Sequence, residues 1–187
     1  GMGERTRSWL QTGVILAALA VVVALGWRER QRFAPVGPGD RAPTYAAPSL
    51  AGDTVSLESL RGRVVLLNVW ATWCAPCRWE MPAIERLHRE YRDQGLEVVA
   101  ASVDVVPGGI DALRAPDGPV ARMVDELGLT FRILLDPAGE VQDRFGVAGL
   151  PTTFLIDRDG RIVERVLGPA RWDEPPHRDR VLRVLGS

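Results

Sequence analysis

Hydrophobic and polar positions along this chain fall into two regimes. From Ser8 to Trp27 no residue is charged, and Val14 to Leu25 is wholly apolar, which predicts one long N-terminal helix. The pattern then breaks. Residues 33–43 carry three prolines (Pro35, Pro38, Pro43) and two glycines, the composition of a linker. Tyr45 to Leu57 holds two short segments around Ala51-Gly52-Asp53, which predicts a β-hairpin. Val64 to Trp70 is apolar and β-branched with only Asn68 polar, the signature of a strand buried on both faces. A helix is expected to start at Cys74 or just beyond, run towards Asp93 and end near Gly95. Leu96 to Val103 is the next strand, and Pro107 to Leu127 is a looser helical stretch broken by Pro116, Gly118 and Pro119. Ile133 to Leu135 and Thr152 to Asp157 read as strands, and Asp159-Gly160 turns the chain into Ile162 to Leu167. A last helix is expected over Asp179 to Leu185. Strand, helix, strand, helix, strand and hairpin give an α/β class with a central mixed sheet flanked by helices.

Of the 187 residues, about 150 follow the first apolar segment, enough for one domain with a full core. The expected organisation is an anchor over 1–32, a linker over 33–43 and one domain over 44–187. Twenty residues of helix span roughly 30 Å, about the thickness of a hydrocarbon core. Trp9 and Trp27 bracket that run where interfacial aromatics belong. A cleaved signal peptide, with Ala24 and Gly26 before the cut, is the competing reading. Arg5 and Arg7 precede the span and Arg28, Arg30 and Arg32 follow it, so charge does not decide its orientation. The formal net charge of −1 gives no electrostatic case for a nucleic-acid partner. All 23 basic residues are arginine, which excludes Schiff-base lysines and a Walker-type phosphate loop.

The chain has two cysteines, both in Trp73-Cys74-Ala75-Pro76-Cys77. Two thiols at this spacing at the start of a helix can close a small disulfide and open it again, a two-electron switch. Zinc sites share the spacing but need two more ligands. His88 lies eleven residues after Cys77, roughly 16 Å along one helix at about 1.5 Å per residue. His177 stands alone in Pro175-Pro176-His177. Neither completes a metal site, so no metal and no other cofactor is expected. A second feature follows from periodicity. Cys77, Glu80, Ile84, Leu87 and Tyr91 share one helical stripe, so Glu80 points with the apolar side chains. A carboxyl held there should have a raised proton affinity and could exchange a proton with Cys77. A rim glutamate paired with an arginine is the alternative.

The run from Leu67 to Arg78, continuing into Glu80-Met81-Pro82, resembles the thioredoxin superfamily, and within it the membrane-anchored TlpA/ResA/DsbE-type branch. Gly146 to Asp157, with Leu150-Pro151-Thr152, resembles that family's cis-proline loop, and Leu57 to Arg63 resembles the segment before its first core strand. The resemblance covers roughly Asp40 to Leu167. It implies a thioredoxin-like fold with an N-terminal hairpin extension and a transmembrane helix. Cys74 is then the nucleophile, with its thiolate favoured by the helix N-terminus, and Cys77 the resolving thiol. Glu80 is the functional glutamate of ResA-like members. Pro82 removes the bond to the Arg78 carbonyl and bends the helix. Asn68 stands where thioredoxins carry a buried aspartate, which leaves proton transfer to Glu80 or water. Leu150 and Pro151 would receive an extended substrate strand, and Trp73 would offer an apolar contact. The implied activity is an extracytoplasmic, periplasm-facing thiol–disulfide oxidoreductase that reduces protein disulfides such as those of apocytochrome c. Its electrons would come from a transmembrane donor of the DsbD/CcdA kind. A peroxiredoxin-like enzyme and a copper-handling assembly protein are the alternatives, the latter because soft thiolates suit Cu(I).

Overall fold

The computed structural model describes residues 2–32 and 35–187, and within the first helix the side chains of Trp9 and residues 13–28. The chain divides into two units, residues 1–34 and 35–187. The first is a single helix, α1 (Met2–Arg32). Its described apolar side chains, Val14, Leu16, Val22 and Leu25 among them, are all exposed. The membrane span expected over Ser8 to Trp27 lies partly outside the described side chains, and among the described residues no helix is long and apolar enough to cross a membrane.

The second unit is built on a five-stranded sheet in the order β5-β4-β3-β6-β7. Its strands are β3 (Val64–Trp70), β4 (Leu96–Ser102), β5 (Arg132–Leu135), β6 (Thr152–Ile156) and β7 (Ile162–Leu167). β3, β4 and β5 run parallel, while β6 and β7 are antiparallel to their neighbours. All seven residues of β3 are buried, because helices cover both faces of a central parallel strand. The expected hairpin is a separate two-stranded ribbon, β1 (Ala46–Pro48) against β2 (Thr54–Ser56). It sits at the β5 end, where Ser49 bridges Leu134.

The helices are α2 (Ala75–Tyr91), α3 (Gly109–Arg114), α4 (Pro119–Leu127), α5 (Glu140–Phe145) and α6 (His177–Leu185). α2 passes into a short turn of 3-10 helix ended by Gly95, whose φ of 105° a side-chain-bearing residue rarely adopts. The broken stretch before Leu127 is two helices: α3 stops at Arg114, ahead of Pro116, and α4 starts at Pro119 with Gly118 in the cap position. α5 is an addition to the pattern read from sequence. It forms because the buried Asp136 carboxylate accepts from the Glu140 and Val141 amides at its first turn. Part of the segment read as a linker is bonded to the sheet: Gly39 donates to the Ile162 carbonyl and Ala42 to that of Gly160.

Candidate active site

Cys74 caps the N-terminus of α2, and its Sγ accepts from the Cys77 amide at 3.3 Å. The two sulfurs are joined as a disulfide with Cα atoms 5.3 Å apart. Cys74 keeps 6% of its surface in contact with solvent and Cys77 none. The asymmetry decides which sulfur an outside thiol or disulfide meets first. Pro76 occupies the first turn without an N–H to satisfy. The remaining unpaired amides and the positive end of the helix dipole point at Cys74 and favour its thiolate.

Trp73, Cys74 and Pro76 line one side of an open groove of about 490 Å³, and Ala148, Gly149 and Leu150 line the other. Trp73 is 72% exposed. The Leu150–Pro151 peptide bond is cis. Among the described residues the Leu150 carbonyl accepts no hydrogen bond, which leaves an open acceptor on a residue that lines the groove. That is what an added strand requires. The structure thus brings Trp73, Cys74 and Leu150 together at one groove, with Pro151 buried next to Leu150 rather than lining it.

Glu80 lies elsewhere, fully buried one helical turn beyond Cys77. Its Oε1 accepts from Asn68 Nδ2 at 2.7 Å, and its Oε2 from the Ala170 amide at 3.1 Å. Asn68 Nδ2 also donates to Thr153 Oγ1 at 2.9 Å, which ties β3, β6 and α2 together under the disulfide. Burial pushes the Glu80 carboxyl up to about 7 against the pull of these donors. No neighbouring charge contributes. The remaining members of the helical stripe, Ile84, Leu87 and Tyr91, are buried as well. Pro82 sits inside α2.

Two parts of the site were not read from sequence. Asp104, buried just past β4, accepts from the Thr72 amide at 2.9 Å, from the Thr72 hydroxyl and from Ser102 Oγ at 2.6 Å. It fixes the loop that presents Trp73 and Cys74. The second part is the segment after β7, where Ala170 and Trp172 close over Glu80; nothing local in the sequence marks it. His88, weighed above as a metal ligand, packs edge-on against Phe131 with ring centroids 6.0 Å apart. Burial lowers the proton affinity of its imidazole.

The AhpC/TSA family matches residues 38–165. The thiol–disulfide oxidoreductase ResA of Halalkalibacterium halodurans is 36% identical over 168 residues, 87% of this chain and 88% of that protein. The ResA of Bacillus anthracis is 36% identical over 130 residues, 70% of this chain and 69% of its own length. Among solved structures, a Chlorobium tepidum protein assigned as the thiol:disulfide interchange protein DsbE superposes with a TM-score of 0.69. It is 34% identical, and the match covers 80% of this chain and 98% of that one.

Proposed function

Starting from the chain's membership of the AhpC/TSA family and its class, a thiol–disulfide oxidoreductase of the ResA/DsbE type, we propose that it reduces disulfides of extracytoplasmic proteins. One observation carries this: a buried carboxyl tuned to about 7 stands behind the inaccessible member of the cysteine pair. In the reduced protein the Cys74 thiolate attacks a substrate sulfur. The substrate S–S bond breaks, a mixed disulfide forms, and one substrate thiolate leaves and is protonated. Cys77 then attacks Cys74 Sγ. Its proton passes to Glu80, which is half ionised near neutrality and so able to take it and give it back. The second substrate thiolate departs, and the disulfide seen here is left. Two electrons and two protons from a membrane dithiol donor of the DsbD/CcdA kind restore the dithiol.

Apocytochrome c fits the groove's chemistry, because its heme-site C-x-x-C-H segment can be presented as an extended chain with its disulfide over Cys74. α1 is proposed as the tether. Val14 to Leu25 is apolar on every face, and its exposed side chains have no partner in water; the catalytic domain would stand on the periplasmic side.

The test is to mix reduced protein with an oxidised C-x-x-C-H peptide and quench with acid. Peptide dithiol should appear in step with protein disulfide, and Cys77→Ser should stop at a one-to-one mixed disulfide. Consumption of hydrogen peroxide without peptide exchange would replace this reading by a peroxidase. Tight Cu(I) binding without exchange would replace it by a copper carrier.

A further inference from the structure

The Glu80 carboxyl is gripped from a side that no local pattern explains. The segment from β7 to α6 passes α2 and closes in a turn, where the Glu174 amide donates to the Arg171 carbonyl at 3.1 Å. Ala170 and Trp172 face inward and are buried, while Arg171 faces outward. Helix α2 holds the outward side: Arg171 lies over the Trp79 ring at 5.7 Å, and Arg86 Nε pairs with Asp173 Oδ2 at 2.6 Å. The inward side meets Glu80. Ala170 donates its amide to Oε2. The indole N–H of Trp172 reaches the same carboxyl and favours its charged form, yet it falls outside the geometry of a formed hydrogen bond and has no other partner among the described residues.

A fully buried indole N–H without a partner is uncommon. Each carboxylate oxygen has two lone-pair sites. One on each is filled, by Asn68 and by Ala170, so the carboxyl has room for a third donor. An indole can donate but not accept. Its natural partner is therefore the ionised acid.

We propose that Trp172 is a positioning residue for Glu80, its indole N–H kept for the carboxylate and joining it each time Glu80 gives up its proton. This rests on the reading of Glu80 as the carrier of the Cys77 proton. The strap from Ala170 to Asp173 then sets how readily that proton is held. Glu80 meets Asn68 from β3 and Ala170 and Trp172 from the strap; Thr153 of β6 lies behind Asn68, and Cys77 is one turn back along α2. The charges of the strap, Arg171 and Asp173, are turned to Trp79 and Arg86. His177 of α6 packs on Trp172 with ring centroids 4.9 Å apart, next to Glu164 at 3.9 Å.

The test uses the full oxidised chain in detergent micelles, with ¹⁵N-labelled indoles and ¹³C-labelled glutamate carboxyls, titrated from pH 5 to 9. The Trp172 indole N–H resonance should move downfield with the midpoint of the Glu80 carboxyl and stay still in Glu80→Gln. Trp172→Phe keeps the ring stack on His177 and removes the donor. It should raise the Glu80 midpoint by about one pH unit, a tenfold gain in proton affinity. If that variant does not fold, the resonance in the unaltered protein decides alone. A Glu80 titration that leaves the Trp172 resonance in place overturns the inference. The proton-carrier reading is judged separately by the pH profile of peptide reduction, which should lose its step near neutrality in Glu80→Gln.

Discussion

Glu80 makes the oxidised protein less stable as it ionises, and the size of the effect follows from its surroundings. The carboxyl is raised from an ordinary value of 4.5 to about 7 by burial. A raised acid binds its proton more tightly in the folded than in the unfolded chain. Its contribution to stability is therefore complete below 4.5 and is lost as pH climbs through 7. The interval is about 2.5 pH units at ~1.4 kcal/mol each, so the loss is about 3 kcal/mol. Glu80→Gln removes the titration. The amide also introduces a fixed penalty, because its NH₂ must face one of the donors from Asn68 or Ala170, worth about 1–3 kcal/mol at any pH. The variant should thus be less stable than the parent at pH 4.5. It should regain about 3 kcal/mol on that comparison by pH 8. His88, depressed by burial, gains stability as pH rises through its range, but equally in both proteins, so the difference isolates Glu80. Urea unfolding of the oxidised proteins across pH 4.5 to 8 reads the effect directly. Curves that stay parallel over that range would refute the reasoning.

Other expectations are more local. Cys74→Ser should abolish peptide reduction, whereas Cys77→Ser should leave the first attack intact and accumulate the mixed disulfide, read by mass spectrometry. Asp104→Asn puts an amide where the Thr72 amide, the Thr72 hydroxyl and Ser102 all donate; thermal melts should show a loss of about 1–3 kcal/mol. Burial opposes ionisation of Glu85, but hydrogen bonds from Thr130 and Arg89 outweigh it and hold the acid below 4.5. Its stabilisation is present above 4.5 and lost as pH falls through the lowered value, so Glu85→Gln should flatten the acid side of the stability profile. Trp73→Ala alters an exposed ring, so stability should change by less than about 0.5 kcal/mol while reduction of a protein disulfide slows.

What could be read in advance was what short-range pattern encodes. Val64 to Trp70 lacks alternation because both its faces are covered. Glu80 could be placed inside because a stripe of apolar neighbours at helical spacing includes it. The cysteine pair marks itself by spacing. The rest is set at long range. Ala170 reaches Glu80 across 90 residues of chain, and the segment it shares with Trp172 has no periodicity of its own. Asp104 looks like any polar residue at a strand end until Thr72 folds against it. α5 is six residues long, too short for a helical period to show, and it exists because Asp136 caps it.

The most direct test of the central claim is the equilibrium reduction potential of the Cys74–Cys77 pair, measured against glutathione and dithiothreitol. A protein-disulfide reductase fed by a membrane donor should lie near or below the value of thioredoxin, about −270 mV. A value towards that of DsbA, about −120 mV, would make the protein an oxidant and contradict the account.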